Sequence, residues 1–370
     1  MLVKLFPNIK SILFLVALEF YIFISAVKST PLKLFTRIAV LLFISLQSYA
    51  QDIHFSMFYA SPLNLNPALS GVNDGTYRAA GIYRNQWRSV STPFVTYSGS
   101  FDIKLLQTKL KNDIFGVGGV FTGDRSGDGK LTMNSGMVSA AFHKGLDKNH
   151  QHFLGIGVQL GYTQKSLKWQ QLAFPTQFNG QDFDLSQSNG ENFSKPNIGY
   201  FDMSAGFLHQ STVKDIVGFM TGFTVYHLVA PKESFLGQKV TKAMRFTVHE
   251  GIRIKAYKGF YICPNFIYQY QLKNQEINFG SSFEYHMPVA KSELVASIGA
   301  WGRVTGSDAA IVTAGLEYYK VRVMAAYDIN TSTLKPATNG RGAFELAIIY
   351  TGFIKSKGLN YPILVPCPMM

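Results

Sequence analysis

Apolar and polar residues alternate along most of the chain after position 76. In the stretch 76–88, one face is apolar and rich in aromatic residues, whereas the other face is polar. The apolar face contains Tyr77, Ala79, Gly81, Tyr83 and Trp87, and the polar face contains Arg78, Arg84, Gln86 and Arg88. A period of two predicts β-strands in a sheet with one apolar and one polar face.

Fourteen segments with this alternation follow one another to the end of the chain. They lie near 76–88, 93–104, 113–123, 132–143, 152–165, 200–210, 216–228, 245–256, 259–271, 276–286, 293–304, 309–319, 321–330 and 343–353. Most have the length that a tilted strand needs to cross a bilayer, and their number is even, as in bacterial outer-membrane barrels.

The connections between these segments differ in length on the two sides of the sheet. If the chain starts in the periplasm, the inner connections are all short: 105–112, 144–151, 211–215, 257–258, 287–292 and residue 320. The outer connections include the three longest, 166–199, 229–244 and 331–342. This asymmetry predicts a closed antiparallel transmembrane β-barrel over residues 76–353. The alternative all-β fold is a secreted sandwich or lectin, which would bury its apolar face in a core.

Composition agrees with a β-protein that has an apolar exterior. Charged residues make up 15% of the chain and aromatic residues 14%, where a soluble domain has about a quarter charged residues. The net charge is +13 without any Lys/Arg-rich block, which argues against nucleic-acid binding. The two cysteines, Cys263 and Cys367, form no disulfide framework. We expect free thiols unless the C-terminal tail, 354–370, folds into the barrel.

The first fifty residues have the pattern of an export signal. Lys33 and Arg37 precede an apolar core, and small residues lead to Ala50, so we predict cleavage after Ala50. A second apolar run lies before Lys33; the alternatives are a signal anchor or, as we prefer, a start codon assigned too far upstream. No later run is long and apolar enough for a transmembrane helix.

The stretch YASPLNLNPALSG belongs to a segment, 51–75, that precedes the first strand. Pro62 and Pro67 oppose both a helix and an interior strand. Its leucines require burial, and the backbone around Asn64 and Asn66 requires hydrogen-bond partners. We predict that it enters the periplasmic end of the lumen as a plug or latch facing Arg78 or Asp102. The alternative is a cap that only seals the rim.

The first strand places a row of arginines on the face that a barrel directs to its lumen. Arg78, Arg84 and Arg88 share that face. Such a row selects anions in a porin, or it pairs with lumen carboxylates such as Asp102 and holds a plug. Both interpretations remain open from sequence, with the structural role slightly favoured.

Few motifs point to chemistry. In GDRSGDGK, the oxygens of Asp124, Ser126 and Asp128 are spaced as at the start of a calcium loop, but position 135 is Ser rather than the required Glu. A turn between two strands is the preferred interpretation, so we predict no metal and no cofactor. No GxSxG, HExxH or P-loop motif occurs, and we predict no enzymatic activity.

The block NPALSG…YRAA…YRNQWRS within residues 52–102 resembles the PorP/SprF family of Bacteroidota outer-membrane proteins. Similar stretches are GDGKLT, VYHLVAPKESFLG, RFTVHEG and AYDINTSTLKPA. The resemblance implies a non-enzymatic component of type IX secretion and gliding machinery, located in the outer membrane and in contact with its lipid.

The implied protein partners are a cargo with a C-terminal sorting domain, such as a surface adhesin, and the periplasmic ring made by a lipoprotein and its partner. Members of the family often end in Cys-Pro-Arg-aromatic, whereas this chain ends in Cys367-Pro-Met-Met. Docking through the tail is therefore in doubt. The alternative function is a porin-like channel or solute transporter.

Overall fold

A computed structural model gives the structure of the chain. It describes residues 52–354 except 91, 111, 191–195, 215, 236–239, 290–291, 305–308 and 334. The predicted signal, 1–50, and all but the first residue of the predicted tail, including Cys367, lie outside the described residues.

Fourteen strands account for most of the described chain. They are β1 (Tyr77–Gln86), β2 (Phe94–Leu105), β3 (Ile114–Ser126), β4 (Leu131–Gly145), β5 (His152–Ser166), β6 (Asn197–Val213), β7 (Val217–Tyr226), β8 (Arg245–Tyr257), β9 (Phe260–Gln271), β10 (Asn274–Val289), β11 (Ser292–Val304), β12 (Ala309–Tyr318), β13 (Val321–Asn330) and β14 (Arg341–Gly352).

The helical elements are single turns. They are α1 (Pro62–Leu65), α2 (Gln107–Leu110) and α3 (Lys335–Thr338), with 3₁₀ turns η1 (Phe58–Ala60), η2 (Pro67–Leu69), η3 (Trp169–Gln171) and η4 (Pro175–Gln177). Among the described residues, no helix has the length and apolar character needed to cross a membrane.

Each strand pairs antiparallel with its neighbours in sequence, and β1 pairs with β14 to close the barrel. The closing pair runs from Tyr77 opposite Gly352 to Gln86 opposite Ala343 without a register shift. The predicted fourteen-stranded closed antiparallel barrel is therefore confirmed. A sandwich would instead show two separate sheets.

The two faces of the barrel differ as the alternation predicts. The outer face exposes large apolar side chains along the strands, such as Val138, Phe201 and Ile298, which are 67%, 77% and 66% exposed. The inner face carries buried polar and charged residues, among them Arg78, Glu284 and Glu345. An apolar exterior and a polar interior are typical of barrels that span a bilayer.

The two ends of the barrel also differ. At one end, here called the short-turn end, β2 connects to β3, β4 to β5 and so on through connections of at most eight residues, and β1 begins there. At the other, the long-loop end, residues 167–196 join β5 to β6 and residues 227–244 join β7 to β8. These two ends are the reference for the position of every lumen residue below.

Candidate functional site: a lumen filled by residues 52–76

Residues 52–76, here called the lumen segment, run through the inside of the barrel from one end to the other. At the short-turn end, Thr76 N donates to Gly352 O over 2.8 Å. At the long-loop end, Asp52 contacts Lys242 of the 227–244 loop. We expected a plug or latch at the periplasmic end of the lumen, and the segment extends between both ends of the barrel. Residues 52–57 add a stretch without a regular helix that reaches the opposite end.

An ion pair between two strands holds the segment in the short-turn half. Arg78 Nε lies 2.8 Å from Asp102 Oδ1, and both side chains are fully buried. Arg78 also donates to Val72 O and Leu69 O, both over 3.0 Å. Gly71 N donates to Asp102 Oδ2 over 2.9 Å. The pair thus binds both carbonyl and amide groups of the segment, which lowers the free energy of a backbone that forms no ladder of its own.

The two asparagines of the segment lie in the middle of the lumen. Asn64 Nδ2 donates to Ser98 Oγ over 2.7 Å, and Thr122 Oγ1 donates to Asn64 Oδ1 over 3.0 Å. Asn66 Nδ2 donates to Phe207 O over 3.0 Å. Arg78 and Asp102, which the segment was predicted to face, bind its backbone nearer the short-turn end rather than these two asparagines.

Lumen side chains also satisfy carbonyl groups that the proline-broken backbone leaves without partners. Gln159 Nε2 donates to Leu63 O over 3.1 Å, and Thr224 Oγ1 donates to Leu65 O over 3.2 Å. Tyr226 Oη donates to Asn64 O over 3.0 Å and also contacts Leu65 O. These bonds come from two strands, β5 and β7, so the segment is held by more than one part of the inner wall.

Apolar side chains of the segment fill the space between these polar contacts. Leu63, Leu65 and Leu69 are buried, as predicted from their apolar side chains. Tyr59 stacks on Trp301 of β11 with ring centroids 5.2 Å apart. Phe58 meets the same indole edge-on at 6.2 Å. Burial of this many apolar groups makes the lumen a packed core rather than an open channel.

A second group of charges surrounds Ser56 in the long-loop half. Ser56 N and Met57 N donate to the two oxygens of Glu345 over 2.6 and 2.8 Å. Arg84 pairs with Glu345 and, over 3.1 Å, with Asp328. Arg303 is the second cation that pairs with Asp328, and its Nη2 atom lies 3.0 Å from Asp328 Oδ2. The alternation along the first strand predicted Arg84 as a lumen residue, but no local pattern indicated Asp328, Glu345 and Arg303 as its neighbours.

The segment reaches the long-loop end at Asp52, which lies among cationic groups. Its carboxylate is 2.6 Å from Lys242 Nζ and 2.5 Å from His227 Nε2. Burial raises the pKa of Asp52, but Lys242, Arg245 and His227 outweigh that effect and hold the pKa well below 3.8. His227 Nδ1 lies 2.5 Å from Asp202 Oδ2, so the imidazole joins the segment to β6.

A cavity of about 100 Å³ with both polar and apolar lining lies beside this end of the segment. Its lining includes Asp52, Asn64, Gln159, Thr163, Ser204 and His227. The cavity is large enough for a few water molecules and is lined by groups that bind water. It is too small to form a solute path past the segment.

Arg88 does not belong to the lumen row. β1 ends at Gln86, Trp87 takes a positive φ of 58°, and Arg88 lies exposed in the turn that follows. The alternation that placed Arg88 with Arg78 and Arg84 stops at Trp87, because a left-handed residue breaks the period of two.

The residues of the calcium-loop candidate do not converge on one point. Asp124, on β3, accepts from Thr96 Oγ1 over 2.6 Å, whereas Asp128, in the turn after β3, accepts from Thr92. Ser126 ends the strand between them. Within the described part of the chain, no three His, Cys, Asp or Glu side chains are placed to share a metal ion. Cys263 is buried with a free thiol.

Solved structures of barrels resemble this one in outline. A TodX monoaromatic hydrocarbon channel mutant is 12% identical, with 78% of this chain and 92% of that chain covered and a TM-score of 0.45. The KdgM porin is 8% identical, with 74% and 98% covered and a TM-score of 0.35. A FadL homologue from Pseudomonas aeruginosa is 10% identical, with 77% and 98% covered and a TM-score of 0.41. At such values, none of them carries an argument about what this chain does.

The family of the chain follows from its sequence. No curated protein matches it. The model of the type IX secretion system membrane proteins PorP/SprF, however, matches residues 47–350. The match includes the whole lumen segment and all strands through most of β14. The chain therefore belongs to the PorP/SprF family of type IX secretion system membrane proteins.

Proposed function

We propose that this chain is a non-enzymatic outer-membrane component of the type IX secretion and gliding machinery. In this proposal the barrel anchors the machinery and supports secretion or surface attachment of an adhesin-like cargo, and it does not serve as a diffusion pore. The observation that carries the proposal is the lumen segment, which fills the interior of a barrel from a secretion family.

The energetics of the lumen support this choice over the porin-like alternative. A solute would have to displace a segment whose backbone is bound by Arg78, Asp102 and Glu345. Displacing the segment breaks its hydrogen bonds to these charged groups, each worth about 1.5–3 kcal/mol, so thermal opening of the whole path is rare. If the lumen is closed, the two ends of the barrel are the surfaces that can bind partner proteins.

We assign the long-loop end to the cell exterior, since outer-membrane barrels carry their long loops there. The 167–196 and 227–244 loops are then the surfaces for the secreted cargo, which carries a C-terminal sorting domain. The short-turn end faces the periplasm and is the surface for the ring lipoprotein and its partner. The lumen segment connects these two ends, and the Asp52–Lys242 pair attaches it to the 227–244 loop.

Conductance in planar bilayers tests the closed lumen. The wild-type protein is compared with a variant lacking residues 59–71, and heat-modifiable migration on a gel confirms that each barrel is folded. We expect background conductance for the wild type and clear channel openings for the deletion variant. Steady openings of the wild type would support the porin-like alternative. A folded deletion variant that stays at background would mean that the remaining residues still close the barrel.

Deletion of the gene tests the secretion role separately. We expect a loss of surface cargo carrying a sorting domain, together with co-purification of the wild-type protein with that cargo or with the ring proteins. Normal secretion and gliding in a strain that lacks this gene and its paralogues would contradict the proposal, whatever the conductance shows.

A further inference from the structure

The connections at the short-turn end carry many lysines. The six connections, 106–113, 146–151, 214–216, 258–259, 290–291 and 319–320, contain seven lysines and three aspartates but no arginine. The lysines are Lys109, Lys111, Lys148, Lys214, Lys258, Lys291 and Lys320. The five described lysines are Lys109, Lys148, Lys214, Lys258 and Lys320; each is exposed. These five are called the lysine rim.

The two described aspartates of these connections are turned toward their own turns. Asp113 pairs with Lys144 over 2.9 Å and accepts from Gly145 N over 3.1 Å. Asp147 accepts from the backbone N–H groups of Gln151 and His152 over 3.0 and 2.8 Å. These two carboxylates are thus used to fold the turns, and the five rim lysines outnumber the exposed carboxylates Asp74 and Glu293 at this end.

Each rim lysine has a large exposed apolar neighbour in or beside the same connection. These neighbours are Leu106, Leu146, Ile216, Tyr257 and Tyr319. Tyr257 is 74% exposed and Tyr319 is 63% exposed. An apolar or aromatic anchor beside a lysine is typical of the boundary between lipid chains and head groups, where the lysine stem lies in the apolar layer and the ammonium reaches the phosphate.

The backbone of two turns is strained in a way that favours a different residue type. Lys214, Tyr319 and Lys320 have φ values of 51°, 48° and 66°. Glycine or asparagine adopts this left-handed region at lower free energy.

Lysine rather than arginine is the cation in the rim connections, whereas the lumen contains arginines together with lysines such as Lys104 and Lys242. The buried cations that pair with carboxylates inside the barrel include Arg78, Arg84, Arg303 and Arg322, because a planar guanidinium suits buried bidentate pairing. A flexible, strongly hydrated ammonium instead suits a wet interface.

We propose that the lysine rim binds the phosphates of anionic lipid head groups in the leaflet that the short-turn end faces. Two observations favour lipid over an acidic protein: the rim lysines come from five connections spread over β2 to β13, and each has an apolar neighbour suited to the bilayer boundary. The proposal rests on the barrel spanning a bilayer and does not depend on a role in secretion.

Lipid retention tests the proposal with two matched variants of the full chain. The rim variant combines Lys109→Gln, Lys148→Gln, Lys214→Gln, Lys258→Gln and Lys320→Gln. The control removes five exposed lysines at the long-loop end through Lys130→Gln, Lys168→Gln, Lys232→Gln, Lys273→Gln and Lys335→Gln. Each protein is placed in nanodiscs of phosphatidylcholine with a minority of phosphatidylglycerol, and the lipids retained after detergent extraction are counted by native mass spectrometry.

We expect the rim variant to lose the preference for phosphatidylglycerol by about tenfold or more, whereas the control keeps it. High salt should weaken the wild-type preference, and added inorganic phosphate should not displace the lipid. If the rim variant does not fold, the pair Lys258→Gln and Lys320→Gln should show a smaller loss in the same direction.

Three results would overturn the assignment. The first is a folded rim variant that retains phosphatidylglycerol as the wild type does. The second is displacement of the lipid by inorganic phosphate, which would mean that the rim binds free anions. The third is a variant with unchanged lipid retention that loses an acidic protein partner. The first two results do not bear on the conductance or secretion experiments, whereas the third would place a protein contact at the short-turn end, so failure of the lipid proposal and failure of the proposed function remain distinguishable.

Discussion

Arg84 on the first strand and Glu345 on the last strand are direct cross-strand partners at the seam where the barrel closes. Glu345 also accepts the backbone N–H groups of Ser56 and Met57. The residue that joins the two ends of the sheet therefore also holds the lumen segment. Closure of the barrel and filling of its lumen are coupled through this one buried carboxylate.

Replacement of this carboxylate should destabilise the whole barrel. Glu345→Gln leaves Asp328 as the only described carboxylate paired with Arg84. It also replaces the charged oxygen that accepts the hydrogen bond from Ser56 N by a neutral one. We expect a loss of about 3–5 kcal/mol, measured as a shift in the urea midpoint for heat-modifiable migration. Glu293→Gln is the control, because that carboxylate is 58% exposed in its pair with His286, and should cost at most about 1 kcal/mol. Equal shifts for both variants would contradict the coupling.

Two glycines of the wall allow the segment to lie close to it. A Cβ added to Gly157 would lie 2.5 Å from Ala68 N, and one added to Gly116 would lie 2.2 Å from Ser70 O. Gly157→Ala and Gly116→Ala should therefore push the segment away from the wall, at a cost of about 1–3 kcal/mol. We expect both variants to show intermittent channel openings in planar bilayers, although no residue of the segment is replaced.

Gly136→Ala is the matched control for these glycines. Gly136 faces outward on β4, and a Cβ there meets no atom within 4 Å. We expect wild-type conductance and stability for this variant. If Gly157→Ala and Gly116→Ala also behave like the wild type, the segment is not packed tightly against these strands.

The strands were predictable from sequence because the alternation that indicates each strand lies within that strand's own residues. The predicted segment 321–330 coincides with β13, and 245–256 differs from β8 by one residue. The alternation also identified Arg78, Arg84 and Asp102 as lumen residues, since a period of two assigns each residue to a face. It failed at Arg88, where the positive φ of Trp87 ends the strand.

The path of the lumen segment was not predictable in the same way. How far the segment extends along the lumen depends on Asp328 and Glu345. These residues contact Ser56 from 272 and 289 residues away in sequence. No local pattern in 52–58 encodes those contacts. The leucines of the segment indicate burial, and its prolines each begin a single helical turn, but neither indicates which end of the barrel the chain reaches.

The ion pairs of Asp52 should make the outer part of the segment sensitive to strong acid. The folded-state pKa lies below the usual 3.8, so the stabilisation is complete above the unfolded pKa and is lost as pH falls through the folded pKa. Asp52→Asn should raise hydrogen exchange at residues 53–57, equivalent to about 1.5–3 kcal/mol of local stability at neutral pH. The difference from the wild type should stay constant above about pH 5 and vanish in strong acid.

Asp184→Asn is the control for Asp52. Asp184 lies in the 167–196 loop, and hydrogen bonds from Ser186 and Gln187 lower its pKa, but its bonds are local to that loop. Its replacement should leave exchange at residues 53–57 unchanged. A wild-type exchange rate in Asp52→Asn at neutral pH would mean that Lys242 and His227 do not hold the segment.

The course of the lumen segment predicts where the mature amino terminus lies. Asp52 is at the long-loop end beside Lys242, so a chain cleaved after Ala50 begins at the face assigned to the cell exterior. An epitope inserted between Ala50 and Gln51 should bind antibody on intact cells. The same epitope inserted between Lys258 and Gly259, at the short-turn end, should bind only after the outer membrane is permeabilised. The reverse result would place the long loops in the periplasm, and binding of neither epitope on intact cells would mean that the segment does not reach the outer mouth in the cell.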